Sequence, residues 1–278
     1  MAGEGRPAVS DGDEDHVARA PERTSEQART EFNAEQFANP YPDGIQHHYW
    51  TLARNRLILR TLRSRRMQSE SDARAADDVV LDIGCGRGIT VEFLRRHGVN
   101  AIGADMGTPA PITPDVAPFL HLGQDAMAMP AAFRRQVRTI LLLDVLEHIA
   151  EPAAFVAALA GAFERCTHLL ITVPARQELW SNYDTYYGHF RRYDLRSARS
   201  LYPNELFELT SATYAFRLLY APALVLAAMS RNRSVSISAP TPAMRPVHRL
   251  LAAYFGAESA ILPRWVPGSS LVLTLRRR

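Results

Sequence analysis

The sequence has 278 residues, of which 47% are hydrophobic and 22% are charged. A chain of this length and composition can bury a substantial core, which excludes a fully disordered or fibrous protein. The formal net charge is only +3, and the 32 basic residues, all of them arginine, are scattered among acidic residues. We therefore expect no nucleic-acid partner.

The N-terminal region is predicted to consist of a tail and a helical cap. Residues 1–30 are charged throughout and lack the apolar core of a signal peptide, which predicts a disordered tail. Residues 31–70 are predicted to form the cap, with a helix from about residue 48 to residue 65, because apolar residues recur there with an approximate helical period.

From residue 71 to residue 278, apolar runs alternate with amphipathic ones. This alternation predicts an α/β domain with a parallel sheet and helices on both faces. A partly helical insertion at about residues 217–267, before the last strand, is expected to form part of a lid. The predicted strands lie at residues 79–83, 100–106, 119–125, 139–145, 167–173, 207–216 and 269–277, and the clearest helices at residues 89–98 and 152–163.

A glycine-rich turn follows the first predicted strand. Gly84, Gly86 and Gly88 are spaced G-x-G-x-G between that strand and a predicted helix. Glycine lets a ligand approach the backbone closely, and the start of a helix presents unpaired N–H groups. A dinucleotide fingerprint requires glycine where Ile89 stands, so binding of NAD is not expected.

Two stretches carry a family resemblance, LDIGCGRG at residues 81–88 and LLLDVLEHIAEP at residues 141–152. They resemble motifs of the class I S-adenosylmethionine-dependent methyltransferases, in the group that includes the ubiquinone-biosynthesis O-methyltransferases. Residues 188–193, GHFRRY, are similar to a Gly-His-x-Arg-Arg-Tyr motif of one branch of this family. The resemblance implies a Rossmann-like seven-stranded sheet. It also implies S-adenosylmethionine as cofactor and S-adenosylhomocysteine as product.

The resemblance assigns parts of the cofactor to residues at the ends of successive strands. Asp105 would accept hydrogen bonds from the two ribose hydroxyls, and Asp125 would accept one from the adenine amino group. Asp144 would lie near the methionine ammonium group. The complete set of expected cofactor-binding residues is Asp82, Gly84, Cys85, Gly86, Asp105, Met106, Asp125, Ala126 and Asp144.

The acceptor side is expected in the segment that follows the fifth strand. His189 is the first candidate for a general base and His148 the second, because imidazole titrates near neutral pH. The two arginines of the GHFRRY motif would bind a substrate carboxylate or phosphate, or else pair with Asp184 and Asp194 to fix the loop. An alternative is a structural loop whose aromatic residues pack on the N-terminal helix. The expected substrate-binding residues are Tyr49, Trp50, Tyr183, Tyr187, Arg191, Arg192 and Tyr193.

The sequence thus predicts a methyltransferase that acts at oxygen or nitrogen of a small molecule or biosynthetic intermediate. Two alternatives stay open: an acceptor carried on a lipid or protein, with the apolar residues 218–229 docking to the carrier or membrane, or a catalytically inactive protein that binds the cofactor. That apolar run has 12 residues, fewer than the about 20 that span a bilayer.

Two cysteines, Cys85 and Cys166, form neither a metal-type pair nor a disulfide framework. We therefore expect no metal site and a cytoplasmic location. The oligomeric state is expected to be a monomer or a homodimer, since the apolar run at residues 218–229 offers one surface through which two copies could associate.

Overall fold

The computed structural model describes residues 41–64, 67, 78–229, 237–263 and 265–278. The tail predicted for residues 1–30 and the beginning of the predicted cap lie outside these ranges. Of the helices in the described ranges, none combines the length and the apolar character needed to cross a membrane.

A mixed seven-stranded sheet occupies the centre of the protein. Its strands are β1 (Val79–Ile83), β2 (Ala101–Asp105), β3 (Leu120–Leu122), β4 (Val137–Leu143), β5 (His168–Pro174), β6 (Phe207–Ala215) and β7 (Ser270–Arg277). Their order across the sheet is β3-β2-β1-β4-β5-β7-β6. Strands β1 to β5 are parallel, whereas β7 is antiparallel to both of its neighbours. The predicted Rossmann-like sheet of seven strands is confirmed.

The inner strands are apolar in succession because both faces of the sheet are covered. Alternate residues of β4 and β5 belong to two different clusters of buried side chains: Leu142 and Ile171 pack in one, and Leu141 and Leu170 in the other. Such alternation follows from the pleat, which points successive side chains to opposite faces. Two hydrophobic cores therefore lie on either side of one sheet.

Seven α-helices surround the sheet in the described ranges. They are α1 (Tyr49–Leu62), α2 (Ile89–Arg96), α3 (Ala131–Arg134), α4 (Pro152–Ala162), α5 (Asn182–Tyr186), α6 (Tyr220–Met229) and α7 (Arg245–Ile261). Helix α2 ends at Arg96, two residues earlier than predicted, and Gly98 follows with the left-handed backbone that often terminates a helix, at φ of 76°. Helices α6 and α7 occupy the predicted insertion.

Helix α1, from the predicted cap, packs against α7, from the insertion. The Tyr49 ring stacks on Phe255 with 5.5 Å between ring centroids, and an Arg60 guanidinium nitrogen donates to the carbonyl oxygen of Gly256 at 2.9 Å. Trp50 in turn stacks on Phe216, at 5.7 Å between centroids. Two segments that are distant in sequence therefore form one cover on this face of the sheet.

The carboxyl ends of the parallel strands bring four acidic residues to one edge. Four acids lie within three residues of the ends of β3, β2, β1 and β4, which are neighbours in that order: Asp125, Asp105, Asp82 and Asp144. The strand order reverses between β1 and β4, and ligands of open α/β sheets bind at such a point. The fold thus places the predicted cofactor acids in a row at the expected binding edge.

Candidate active site

The turn after β1 is built on glycines because its backbone leaves the region favoured by other residues. Gly84, Gly86 and Gly88 have φ values of 76°, 52° and 79°. A Cβ on Gly84 would also lie 2.7 Å from Cγ2 of Val145, so the turn has no room for a side chain there. The bare backbone of this turn lines a cavity at the carboxyl edge.

Asp105, at the end of β2, fixes the glycine turn. One of its carboxylate oxygens accepts from the backbone N–H of Gly86 at 2.7 Å, and the other accepts from the N–H of Gly107 at 2.8 Å. Burial raises the pKa of Asp105, and these two N–H groups oppose the rise. A carboxylate has about four acceptor positions, so Asp105 keeps capacity for two further hydroxyl donors.

Asp82 lies buried in the middle of the row of acids. Its Oδ1 is buried and has no hydrogen-bond partner among the described residues. Burial raises the pKa of Asp82 to about 7, with the Arg54 guanidinium opposing and the carboxylates of Asp105 and Asp144 adding to the rise. An unpaired buried acceptor of this kind is suited to a cationic donor such as an ammonium group.

Arg54 of α1 reaches from the cover into the row of acids. Its guanidinium donates to Oδ2 of Asp144 at 2.6 Å, and the side chain is only 11% exposed. Thr172 holds the other oxygen of Asp144 with a 3.0 Å hydrogen bond from its hydroxyl. The Nε of Arg54 is buried and finds no partner in the described part of the chain, so it is available to an anionic ligand.

The cavity at this edge has a volume of about 350 Å³, within the range of small-molecule sites. At the rim of the cavity, Asp125 accepts a hydrogen bond from the N–H of Met127. Trp50 and His148 form part of the cavity wall. All nine residues predicted to bind the cofactor line it: Asp82, Gly84, Cys85, Gly86, Asp105, Met106, Asp125, Ala126 and Asp144.

A second group of polar residues surrounds Asp184, which is fully buried at the start of α5. Its carboxylate accepts from Nδ1 of His189 at 2.8 Å and from Nε of Arg192 at 2.7 Å. The backbone N–H and the hydroxyl of Ser181 also donate to it. Burial alone would raise the pKa of Asp184, but the hydrogen bond from His189 and the Arg192 guanidinium lower it to about 2.

This group is attached to the turn that follows β4. The backbone N–H of Phe190 donates to the carbonyl oxygen of Glu147 at 2.7 Å, and Arg191 donates to the carbonyl oxygen of Ala150 at 3.0 Å. The rings of His148 and His189 meet edge to face, with 4.7 Å between centroids. His148 therefore joins the cavity wall to the Asp184 group.

The residues predicted to bind substrate fall into four environments. Trp50 lines the cavity, whereas Tyr49 stacks on Phe255 of α7 and is not among the lining residues. Tyr193 is 1% exposed and belongs to the core. The remaining members surround Asp184 or the turn after β4, and they are Tyr183, Tyr187, Arg191 and Arg192. The sequence predicted that the two arginines would either bind a substrate anion or fix the loop. The hydrogen bond from Arg192 to Asp184 fits the second role.

A family model described as a methyltransferase domain matches residues 49–211, which is more than half of the chain. The chain belongs to this family. Membership confirms the predicted methyltransferase family and the predicted cofactor, S-adenosylmethionine, whereas the predicted domain boundaries stay predictions. The matched residues include β1 to β5, the glycine turn and the Asp184 group. The more specific likeness of residues 188–193 to one branch stays a prediction.

Named relatives are similar over part of their length. The ubiquinone biosynthesis O-methyltransferase of Stutzerimonas stutzeri (strain A1501) is 35% identical over 88 residues, which cover 29% of this chain and 38% of the relative. The enzyme of the same name from Cupriavidus pinatubonensis (strain JMP 134 / LMG 1197) is 27% identical over 135 residues, covering 46% and 54%. The chain thus matches about half or less of each relative.

One solved structure with a similar fold is that of geranyl diphosphate C-methyltransferase from Streptomyces coelicolor A3(2), in complex with Mg²⁺, geranyl diphosphate and S-adenosyl-L-homocysteine. Its sequence is 14% identical and its TM-score is 0.47, over 88% of this chain and 97% of that one. At this identity the likeness concerns the fold alone.

The cavity fits S-adenosylmethionine on its own features. The unpaired Oδ1 of Asp82 and the unpaired Nε of Arg54 match an ammonium and a carboxylate, the two charged groups at the methionine end. The glycine turn gives the backbone access that a Cβ would block, and Asp105 has acceptor capacity for ribose hydroxyls. Arg54 was not predicted as a site residue, since only its position in a predicted helix was visible in the sequence.

The raised pKa of Asp82 predicts a pH-dependent stability. An unfolded aspartate titrates near 3.8, whereas folded Asp82 titrates at about 7. Between these values the folded state keeps a proton that the unfolded state has lost, so the contribution of Asp82 to the free energy of unfolding falls as pH rises. Below about pH 4 this contribution is fully present, and above about pH 7 its loss is complete.

Urea unfolding of the wild-type protein and of Asp82→Asn from about pH 4 to about pH 8 measures this effect. We expect the stability of the wild type relative to the variant to decrease across this range, because asparagine does not titrate. A difference that is constant with pH would contradict the raised pKa.

Proposed function

We propose that the protein transfers a methyl group from S-adenosylmethionine to an oxygen or nitrogen atom of a small molecule or biosynthetic intermediate. The observation that carries this proposal is the cavity at the carboxyl edge, where the glycine turn, the unpaired Oδ1 of Asp82 and the Asp105 carboxylate meet beside a histidine-containing wall. The part of the chain matched by the family model contains all of these residues.

In this proposal the residues of the carboxyl edge bind and orient the cofactor. S-adenosylmethionine supplies an electrophilic methyl group on a positively charged sulfur. Asp105 accepts from the ribose, Asp125 accepts from the adenine amino group, and Asp82 accepts from the methionine ammonium. Arg54 faces the methionine carboxylate while it stays paired with Asp144. Trp50 of α1, which stacks on Phe216, excludes water from one side.

The acceptor is proposed to approach past His148, on the side of the Asp184 group. Holding the acceptor atom about 3 Å from the methyl carbon would supply much of the rate. Because Nδ1 of His189 donates to Asp184, the lone pair of His189 is on Nε2. That lone pair can assist an acceptor hydroxyl in two ways. It accepts the proton as a general base, as predicted from the sequence, or it binds a cation that lowers the pKa of the hydroxyl.

Asp105→Ala tests the cofactor site. The substitution removes the acceptors for Gly86, Gly107 and the ribose, each worth about 1 kcal/mol or more, so we expect the affinity for S-adenosylhomocysteine to fall by at least about tenfold in calorimetry. Asp115→Ala, an exposed acid outside the cavity, serves as the matched control and should bind like the wild type.

Methyl-labelled S-adenosylmethionine, incubated with the protein and an extract of its source organism, then tests transfer itself. A labelled compound should form with the wild type and with Asp115→Ala, and much less of it with Asp105→Ala. Unchanged cofactor affinity in Asp105→Ala, or no labelled product from any extract fraction, would contradict the proposal.

His189→Ala tests the acceptor side. With the acceptor that labelling identifies, we expect the turnover to fall by about 10²-fold or more, while the affinity for S-adenosylhomocysteine stays unchanged. His97→Ala, at an exposed position beyond the end of α2, is the control and should turn over like the wild type. A near wild-type rate for His189→Ala at saturating acceptor would remove His189 from the mechanism.

A second candidate function is methylation of an acceptor held at a lipid surface. None of the side chains of α6 is buried, and Val225, Leu226 and Met229 are 57%, 57% and 79% exposed. Exposed apolar surface of this kind is typical of interaction sites. A cytoplasmic location is part of either proposal and is supported by Cys85 and Cys166 both being free thiols.

Co-sedimentation with anionic phospholipid vesicles tests this candidate. If α6 contacts lipid, the wild type should sediment with the vesicles, and the double variant Val225→Asp, Leu226→Asp should stay in solution, because charged side chains resist transfer into an apolar phase. Ala158→Asp, an exposed position on α4, controls for added negative charge. Failure of the wild type to sediment would eliminate the lipid-surface candidate.

A further inference from the structure

Three side chains of metal-ligand type meet behind the cavity wall. One ring nitrogen each of His148 and His189 and one carboxylate oxygen of Glu147 lie within 4.8 Å of one another. Around a four-coordinate ion with bonds of about 2.0–2.1 Å, ligand atoms are roughly 3.4 Å apart, so small rotations of the side chains would complete such a site. Two segments supply the group: the turn after β4 and the loop after α5.

Glu147 is the member with an unpaired carboxylate oxygen. The residue is 1% exposed, and its Oε2 is buried with no hydrogen-bond partner among the described residues. Removing a carboxylate oxygen from water without a compensating partner is energetically unfavourable, and a bound ion is one of the standard explanations for such a group. A cation between Glu147 and the two histidines would provide that partner.

The neighbouring cationic groups also form no ion pair with the Glu147 carboxylate among the described residues. Two guanidinium groups lie nearby, and each is already paired: Arg54 with Asp144 at 2.6 Å, and Arg192 with Asp184 at 2.7 Å. No ion pair of Glu147 occurs within the ranges that the structure describes. The group therefore carries one buried carboxylate in excess, which favours a bound cation over a third arginine contact.

His189 is oriented for coordination by Asp184. Its Nδ1–H donates to the buried Asp184 carboxylate at 2.8 Å, which fixes the ring and leaves the Nε2 lone pair for another partner. A carboxylate that accepts from the far nitrogen of a ligand histidine is a common arrangement in metal sites. The hydrogen bond from the Phe190 N–H to the Glu147 carbonyl oxygen holds the two segments together at this point.

We propose that Glu147, His148 and His189 bind a divalent transition-metal ion. Two imidazoles and one carboxylate suit Zn²⁺, Co²⁺ or Fe²⁺, whereas Mg²⁺ and Ca²⁺ prefer oxygen ligands. Three protein ligands leave at least one coordination position for an oxygen atom of the acceptor. His148 also lines the cavity, so this position is next to the proposed cofactor site.

The role of the ion rests on the proposed function. An acceptor hydroxyl that binds the ion would have its pKa lowered, and its proton would pass to solvent. The electron pair of that oxygen then forms the new bond to the methyl carbon, while the electron pair of the breaking carbon–sulfur bond stays on sulfur. In this scheme His189 is a metal ligand, and the ion takes the place of a general base.

Metal titration of the chelator-treated, full-length protein tests the site directly. We expect one equivalent of Co²⁺ to bind with visible absorption bands of a site with mixed nitrogen and oxygen ligands, and Zn²⁺ to displace it in calorimetry. Glu147→Gln keeps the size of the side chain and should weaken binding of either ion by at least about tenfold. His189→Ala should do the same, and Asp184→Asn should weaken it about 10–100-fold through the orientation of His189.

His97→Ala provides the matched control, since it removes an exposed histidine far from the group in sequence and should bind both ions like the wild type. Circular dichroism melting shows whether each variant is folded, and the isosteric Glu147→Gln keeps the test valid if Asp184→Asn unfolds. Equal binding by the wild type and Glu147→Gln, or no bound equivalent in the wild type, would overturn the proposed metal site.

The two proposals fail in different ways. Binding of S-adenosylhomocysteine and transfer of label in the presence of chelator, together with no Co²⁺ spectrum, would overturn the metal site and leave the methyltransferase function in place. Absence of cofactor binding in the wild type would contradict the proposed function. A Co²⁺ spectrum that is present in the wild type and absent in Glu147→Gln would still establish the metal site.

Discussion

Negative charge buried at the carboxyl edge of the sheet is the constraint around which the site is arranged. Asp82 and Glu147 are removed from water there, and Asp144 is partly buried beside them. The Asp144 carboxylate adds to the cost of charging both of its buried neighbours. Arg54 is the buried guanidinium that offsets this charge, through its 2.6 Å contact with Asp144. Because Arg54 belongs to α1, the helix that covers the cavity also supplies the positive charge that stabilises these carboxylates. A shift of α1 would therefore change their pKa values.

The site has two halves with different construction. The half proposed to bind the cofactor is formed by strand ends and by the glycine turn, and the sheet sets the positions of both. The acceptor half stands on a loop, and this loop is rigid because five donors converge on the Asp184 carboxylate from Ser181, His189 and Arg192. His148 belongs to both halves. A rigid loop of this kind presents its histidine at a fixed position relative to the cofactor.

Local signals made the first half predictable, whereas the second depends on tertiary contacts. The strands follow from apolar runs, and the rule that parallel strands end at one edge predicts where a ligand binds. The family resemblance then identified the four acids at that edge. Strand β4 was predicted two residues too late, because the apolar run continues past Asp144, where the backbone turns left-handed at φ of 58°. Glu147 lies close to His189 because the loop after α5 folds back onto the turn after β4. The hydrophobic periodicity of the sequence gives no signal for this tertiary contact.

The strand order also affects the path by which the sheet can form. Within the described sheet β6 pairs only with β7, and residues 216–269, which include α6 and α7, separate the two strands in sequence. Until β7 arrives, β6 has no neighbour to pair with and β5 is an open edge, exposed to pairing with other chains. Closing this long loop costs conformational entropy before any contact is gained, so we expect completion of the sheet to be the slow step of folding and the one most vulnerable to aggregation.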